Sequence, residues 1–297
     1  MAEKDTFTKE DLINFKPKFS TFVGIDSDGC VFDTMEIKQK QCFHGLIVLH
    51  WKLEPIEEYV RESAEFVNLY SAFRGQNRFI ALIKSFDLIR DRKEVVESGV
   101  EVPMLPKTRE YINSGLPLGN VTLKSEVERT NDPELKSLLQ WSCDVNDKVE
   151  KIVQGVEPFP WALKSLIKMQ DSSDNLVVSQ TPEEALVREW KLADIFHYVE
   201  IIAGQELGTK TEHLKMATDG KYGAGKVLMI GDAPGDRKAA KNNNALFFPV
   251  NPGQEDESWK VFYEEAYDKF LAGEYAGEYA DSLVADFEKL LPEEPGW

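Results

Sequence analysis

Apolar residues gather into five short runs along this chain: "TFVGI" (21–25), "NLVVS" (175–179), "YVEIIAG" (198–204), "KVLMIGD" (226–232) and "ALFFPV" (245–250). Each is rich in β-branched or aromatic residues, and Gly, Pro, Ser or Asp stands at or against its end. Short apolar runs of this kind predict parallel strands buried on both faces. Helix-spaced stretches lie between the later runs. "TPEEALVREWKLADIF" has Pro182 near its start and two Glu in its first turn, and "KTEHLKMATDG" and "GDRKAAKNNN" follow the next two runs. The alternation predicts an α/β fold with a doubly wound, Rossmann-like parallel sheet.

After the first run the period changes. "IEEYVRESAEFVNLYSAF", "NRFIALIKSFDLIRDRKEVVES" and "ELKSLLQWSCDVNDKVEKIVQ" place apolar residues at helical spacing with few strand signals. A mostly α-helical domain over 34–155 is therefore expected inside an α/β domain made of 1–33 and 156–297. Its segment "VPMLPKTREYINSGLPLGN" is expected to be irregular, because Pro and Gly punctuate it. The stretch "ESWKVFYEEAYDKFLAGEYAGEYADSLVADFEKLL" is aromatic and amphipathic, and is expected to pack on the α/β core or on a second copy. The closing "LPEEPGW" is expected to be loosely held.

The bulk figures exclude some classes. A chain of 297 residues holds about two domains. A net charge of −17 opposes a general nucleic-acid binder, which needs a basic stripe. Cys30, Cys42 and Cys143 make neither a disulfide framework nor a CxxC metal pair, so reduced thiols in a cytoplasmic protein are expected. "MAEKDTFTKEDLINF" has no apolar signal-peptide core, and no run approaches the ~20 apolar residues that span a bilayer. No nucleic-acid or membrane partner is expected, and the chain is expected to be a monomer or a homodimer.

The chemistry collects where the strands end. In open α/β sheets the functional crevice lies beyond the carboxyl ends of the strands. Asp26, Asp28 and Asp33 follow the first run; Ser179, Gln180 and Thr181 the second; Lys210 the third; Asp232 and Asp236 the fourth. Several carboxylates in one crevice repel one another, and a hard cation with oxygen ligands such as Mg²⁺ offsets that. Each residue also has a plainer reading. Ser179 could cap the helix near Pro182, Asp33 and Asp236 could be helix caps, and Lys215 competes with Lys210.

"DSDGCVFD" resembles the DxDGxxxD signature of the haloacid dehalogenase (HAD) superfamily. Ser179 in "VVS", Lys210 in "GTKTEHL" and "GDAPGD" (231–236) match its second, third and fourth motifs in order. The helical insert resembles the cap of the β-phosphoglucomutase and phosphatase-like branch. The resemblance implies a Mg²⁺-dependent phosphohydrolase acting on a small phosphorylated metabolite, or alternatively a phosphomutase or a binding protein with an idle site. Asp26 is then the nucleophile, which forms an aspartyl-phosphate, and Asp28 is the general acid and base. Ser179 and Lys210 hold the phosphoryl group. Asp26, the backbone carbonyl of Asp28 and Asp232 bind the metal, with Asp236 in support. In "FRGQNRF" (73–79), Arg74 and Arg78 flank Gly75 as in the family's substrate-specificity loop. They are assigned with Gln180 to substrate binding, since guanidinium forks suit a second phosphate or a carboxylate. Thr34 and Lys38 are expected to face the site. Ser27 departs from the family pattern, which usually has a larger apolar residue between the two aspartates.

Overall fold

A computed structural model describes residues 5–297. Among these, residues 5–35 and 155–291 form one compact unit, and residues 36–154 with 292–297 form another. The first holds a five-stranded sheet, all parallel, in the order β3-β2-β1-β4-β5. The strands are β1 (Phe22–Ile25), β2 (Asp174–Val178), β3 (Ile201–Ala203), β4 (Val227–Gly231) and β5 (Leu246–Pro249). Residues of β1 to β4 are all buried, as continuous apolar runs require. The order reverses at β1, which pairs with β2 on one side and β4 on the other. Ile25 stands level with Val177 and with Ile230. The next residues of all three strands therefore emerge at one edge.

Two glycines let the helices come close. A Cβ on Gly24, in the central strand, would lie 3.0 Å from Leu214 of the helix Lys210–Thr218 and 3.1 Å from Met229. A Cβ on Gly231 would lie 2.3 Å from the carboxyl carbon of Asp236, so the bare backbone there is what admits that side chain. The aromatic C-terminal stretch packs on this unit. Trp259, Phe262, Tyr267, Phe270, Tyr275 and Phe287 belong to the sheet's own core cluster.

The helical unit has a separate core built on Phe79, Phe86, Leu138 and Trp141. Its proline-marked segment is not irregular throughout. Leu105 takes a left-handed φ of 48°, and Pro106 then opens the helix Pro106–Ile112, where a first-turn proline loses no hydrogen bond. The last six residues are not loosely held. The Ala72 N–H donates to the Pro292 carbonyl at 3.1 Å. Trp297 meets Phe66 edge-to-face at 5.5 Å and takes the Arg92 guanidinium 5.0 Å from its ring centre. Such contacts contribute about 1 kcal/mol each. Deleting residues 292–297 is expected to destabilise the helical unit by about 2 kcal/mol, read as a lower urea midpoint at unchanged slope. An unchanged midpoint would show that the tail rests on the unit without supporting it.

Candidate active site

The β1–β4 edge brings three aspartates together. Asp26 follows β1, Asp232 follows β4, and Asp236 sits in the first turn of the helix Pro234–Asn242. All three are buried, and they offer oxygens that lie within 4.8 Å of one another. Lys210, the first residue of its helix, reaches in with its ammonium. Its Nζ donates to Asp26 Oδ2 at 2.7 Å and to Asp236 Oδ1 at 2.5 Å. Lys210 rather than Lys215 is thus the lysine of the site. The Thr209/Glu212 capping box fixes where its helix begins and so aims the side chain.

The electrostatics follow from crowding. Burial by itself lowers the pKa of Lys210, but Asp236 and Asp26 outweigh it and hold the ammonium above the ordinary lysine range. Burial, helped by the charge of Asp26, pushes Asp236 up to about 6 against the pull of Lys210. Burial and the neighbouring carboxylates likewise raise the Cys30 thiol, which stays protonated and is no rival nucleophile. Three buried carboxylates crowd together, and the one ammonium of Lys210 pairs with two of them, so acidic groups are in surplus over that cation. A hard divalent cation with oxygen ligands fits that surplus. The oxygens of Asp236 accept from Lys210 and from the Ala233 N–H, as those of Asp26 accept from Lys210 and from the Ser27 N–H at 2.8 Å. Asp236 both caps its helix and orients the lysine.

Asp28 stands beside this cluster, half-buried. It accepts from the Thr34 hydroxyl and, at 2.5 Å, from the Thr181 hydroxyl. Ser179 is buried at the end of β2. Its Oγ accepts the Thr181 N–H at 3.3 Å and does not cap the following helix, whose N-cap is Pro182. The Gln180 amide donates to the Gly208 carbonyl at 2.8 Å, which ties its turn to the loop ahead of Lys210. Asp33 is exposed.

Arg74 and Arg78 belong to the helical unit and have partners there. Arg74 is buried and donates to the Leu69 carbonyl at 2.8 Å. Arg78 donates to the Ser142 carbonyl and hydroxyl, each at 3.1 Å, and to Asn146 Oδ1 at 2.7 Å, and it lies over the Phe43 ring. Burial lowers its pKa to about 10. Lys38 opens a π-helical turn, Lys38–Phe43, in the same unit.

Two tryptophans of the site were not foreseen. The Trp190 indole N–H donates to the Ser27 hydroxyl at 3.0 Å, which accounts for a polar residue between the aspartates. The Trp259 indole N–H donates to the Cys30 carbonyl at 2.7 Å. The 26–33 loop is thereby held from two sides. Periodicity marks both tryptophans only as core, since their partners lie 163 and 229 residues away.

No family model and no curated protein matches the chain. Solved structures do. A haloacid dehalogenase-like family hydrolase from Streptococcus pneumoniae is 15% identical, with 90% of this chain and 98% of that one covered, at a TM-score of 0.41. A HAD-hydrolase from Bacillus subtilis, solved bound to magnesium, is 15% identical over 79% and 88%, at 0.42. A protein described as a phosphoglycolate phosphatase from Lactobacillus delbrueckii is 15% identical over 91% and 98%, at 0.44. The proteins this chain is similar to in these matches are hydrolases and phosphatases of the HAD kind.

Proposed function

We propose that this protein is a Mg²⁺-dependent phosphohydrolase of the HAD type that acts on a small phosphorylated metabolite. The observation that carries the reading is the Lys210 ammonium shared between Asp26 at the end of the central strand and Asp236, with Asp232 alongside. A nucleophilic carboxylate, a fixed cation and carboxylates able to hold a divalent cation suit transfer of a dianionic phosphoryl group. Asp26 attacks phosphorus, and the bond from phosphorus to the ester oxygen breaks. The leaving oxygen keeps the electron pair and takes the proton of Asp28. Asp28 then removes a proton from water, whose oxygen attacks the aspartyl-phosphate, and phosphate departs as Asp26 is regenerated. Lys210 pairs with the transferring oxygens, and Ser179 donates to one of them. Asp26, Asp232 and the Asp28 carbonyl are the residues to hold Mg²⁺, which supplies charge neutralisation so that two anions can meet. Substrate recognition in this reading falls to Gln180 and, as the resemblance of their loop implies, to Arg74 and Arg78.

A screen of metabolite phosphates tests the reading. Turnover with phosphate release is expected with Mg²⁺ present. Chelation is expected to abolish it and Mg²⁺ to restore it. Ca²⁺ is expected to bind and support little reaction, since its looser and longer coordination misplaces the nucleophile. Full activity after exhaustive chelation would remove the metal, and transfer without phosphate release would make the protein a mutase.

A further inference from the structure

Asp28 has a hydroxyl on each carboxylate oxygen. Oδ1 accepts from Thr34 and Oδ2 from Thr181, the second at 2.5 Å. The donors come from far-apart stretches, six and 153 residues away from Asp28. Thr34 is buried at the start of the helix Thr34–Ile37. Thr181 is locked in turn: its N–H donates to Ser179 Oγ, and its carbonyl accepts the Gln205 N–H at 3.1 Å. Two fixed donors on the two oxygens of one carboxylate set both the position of the group and the plane it lies in.

We propose that Thr34 and Thr181 are positioning residues that aim Asp28 at the leaving oxygen and then at the attacking water. The inference rests on the phosphohydrolase reading. A hydroxyl suits the task because it is donor and acceptor at once. It donates to Asp28 as the carboxylate and, by rotating, accepts from Asp28 when that residue carries the proton. A backbone N–H could serve only the first form. In the first half-reaction Asp28 loses its proton to the ester oxygen and is left as a carboxylate with a hydroxyl beside each oxygen. In the second it accepts a proton from water, and a threonine hydroxyl turns to receive the new O–H.

The test compares wild type with Thr181→Val, Thr34→Val and Thr181→Ser on two esters, with Mg²⁺ present. p-Nitrophenyl phosphate has a leaving group that needs little protonation, whereas β-glycerol phosphate has one that needs a proton. Each valine variant keeps shape and loses the hydroxyl. The valine variants are expected to lose kcat on β-glycerol phosphate by roughly tenfold more than on the aryl ester, with KM little moved. Thr181→Ser is expected to recover most of that loss. In an Asp28→Asn background, where no acid remains to be aimed, Thr181→Val is expected to add nothing further. Equal losses on both esters, no loss, a serine variant no better than valine, or full additivity with Asp28→Asn would each overturn the positioning role. If Thr181→Val fails to fold, Thr34→Val and Thr181→Ser carry the same comparison. A wild type inert on both esters would sink the phosphohydrolase reading itself and this inference with it. Turnover by wild type with indifferent variants would sink this inference alone.

Discussion

Replacing Asp26 with asparagine is expected to lower phosphate release by a factor on the order of 10⁴ or more, the scale seen when a covalent nucleophile is removed. The change alters one atom on a buried side chain and deletes its negative charge. It should leave the fold intact, since Asp26 lies in a crowd of like charges with Asp232 and Asp236. Losing the ion pair to Lys210 is offset by relief of that repulsion, so the melting temperature should hold within a few degrees. The measurement is steady-state turnover of the best screened ester, beside a thermal melt. A folded asparagine variant that keeps more than a few per cent of activity would exclude the aspartyl-phosphate route.

The second large effect belongs to Lys210→Met, and it divides between catalysis and stability. Activity should fall by about 10²- to 10³-fold, as when a fixed donor to a developing charge is lost. Stability should fall too, because Asp26 and Asp236 stay buried without their ammonium. Removing one partner from a buried pair costs about 3–5 kcal/mol. Saturating Mg²⁺ should recover part of that, since anything that binds only the folded form stabilises it. The pH dependence has a definite sign. Asp236 stands near 6 in the fold, above its unfolded value of about 3.9, so the native state binds the proton more readily. Stability therefore falls as pH rises through that interval. With Lys210 no longer opposing the shift, the fall should steepen, and the deficit of the methionine variant should be smallest in acid. Denaturant midpoints between pH 4 and 7, with and without Mg²⁺, read all three effects. A deficit independent of pH would mean that the carboxylates find another partner.

Much of the sheet was legible because its strands are buried on both faces and so leave unbroken apolar runs. Where the reading slipped, a local rule had a second meaning. "YVEIIAG" was read whole as strand, but β3 spans only Ile201–Ala203, because residues Phe196–Tyr198 wind a 3₁₀ turn before it. Pro106 reads as punctuation in the sequence and is a helix start in the fold. Asp26 and Asp232 could be named because each directly follows a strand, and Lys210 and Asp236 because each lies in the first turn of the helix after one, where sequence position nearly fixes spatial position. Thr181 could be placed beside the site but not given its partner, and Trp190 and Trp259 could not be placed there at all. Their contacts close across more than 150 residues, a distance at which spacing carries no information.

The six residues 292–297 bear on how such a chain can be cut and recombined. An insert that leaves its host once and returns once can be treated as a cassette, moved between relatives by two splice points. Here the helical unit is completed by a second piece, residues 292–297, where Trp297 packs on Phe66 and Arg92. A chimera that exchanges only residues 36–154 would leave behind the hexapeptide that covers the transplanted surface. A chimera that carries both parts is expected to keep those contacts, and substitution of Phe66 or Arg92 is expected to disturb the packing of Trp297.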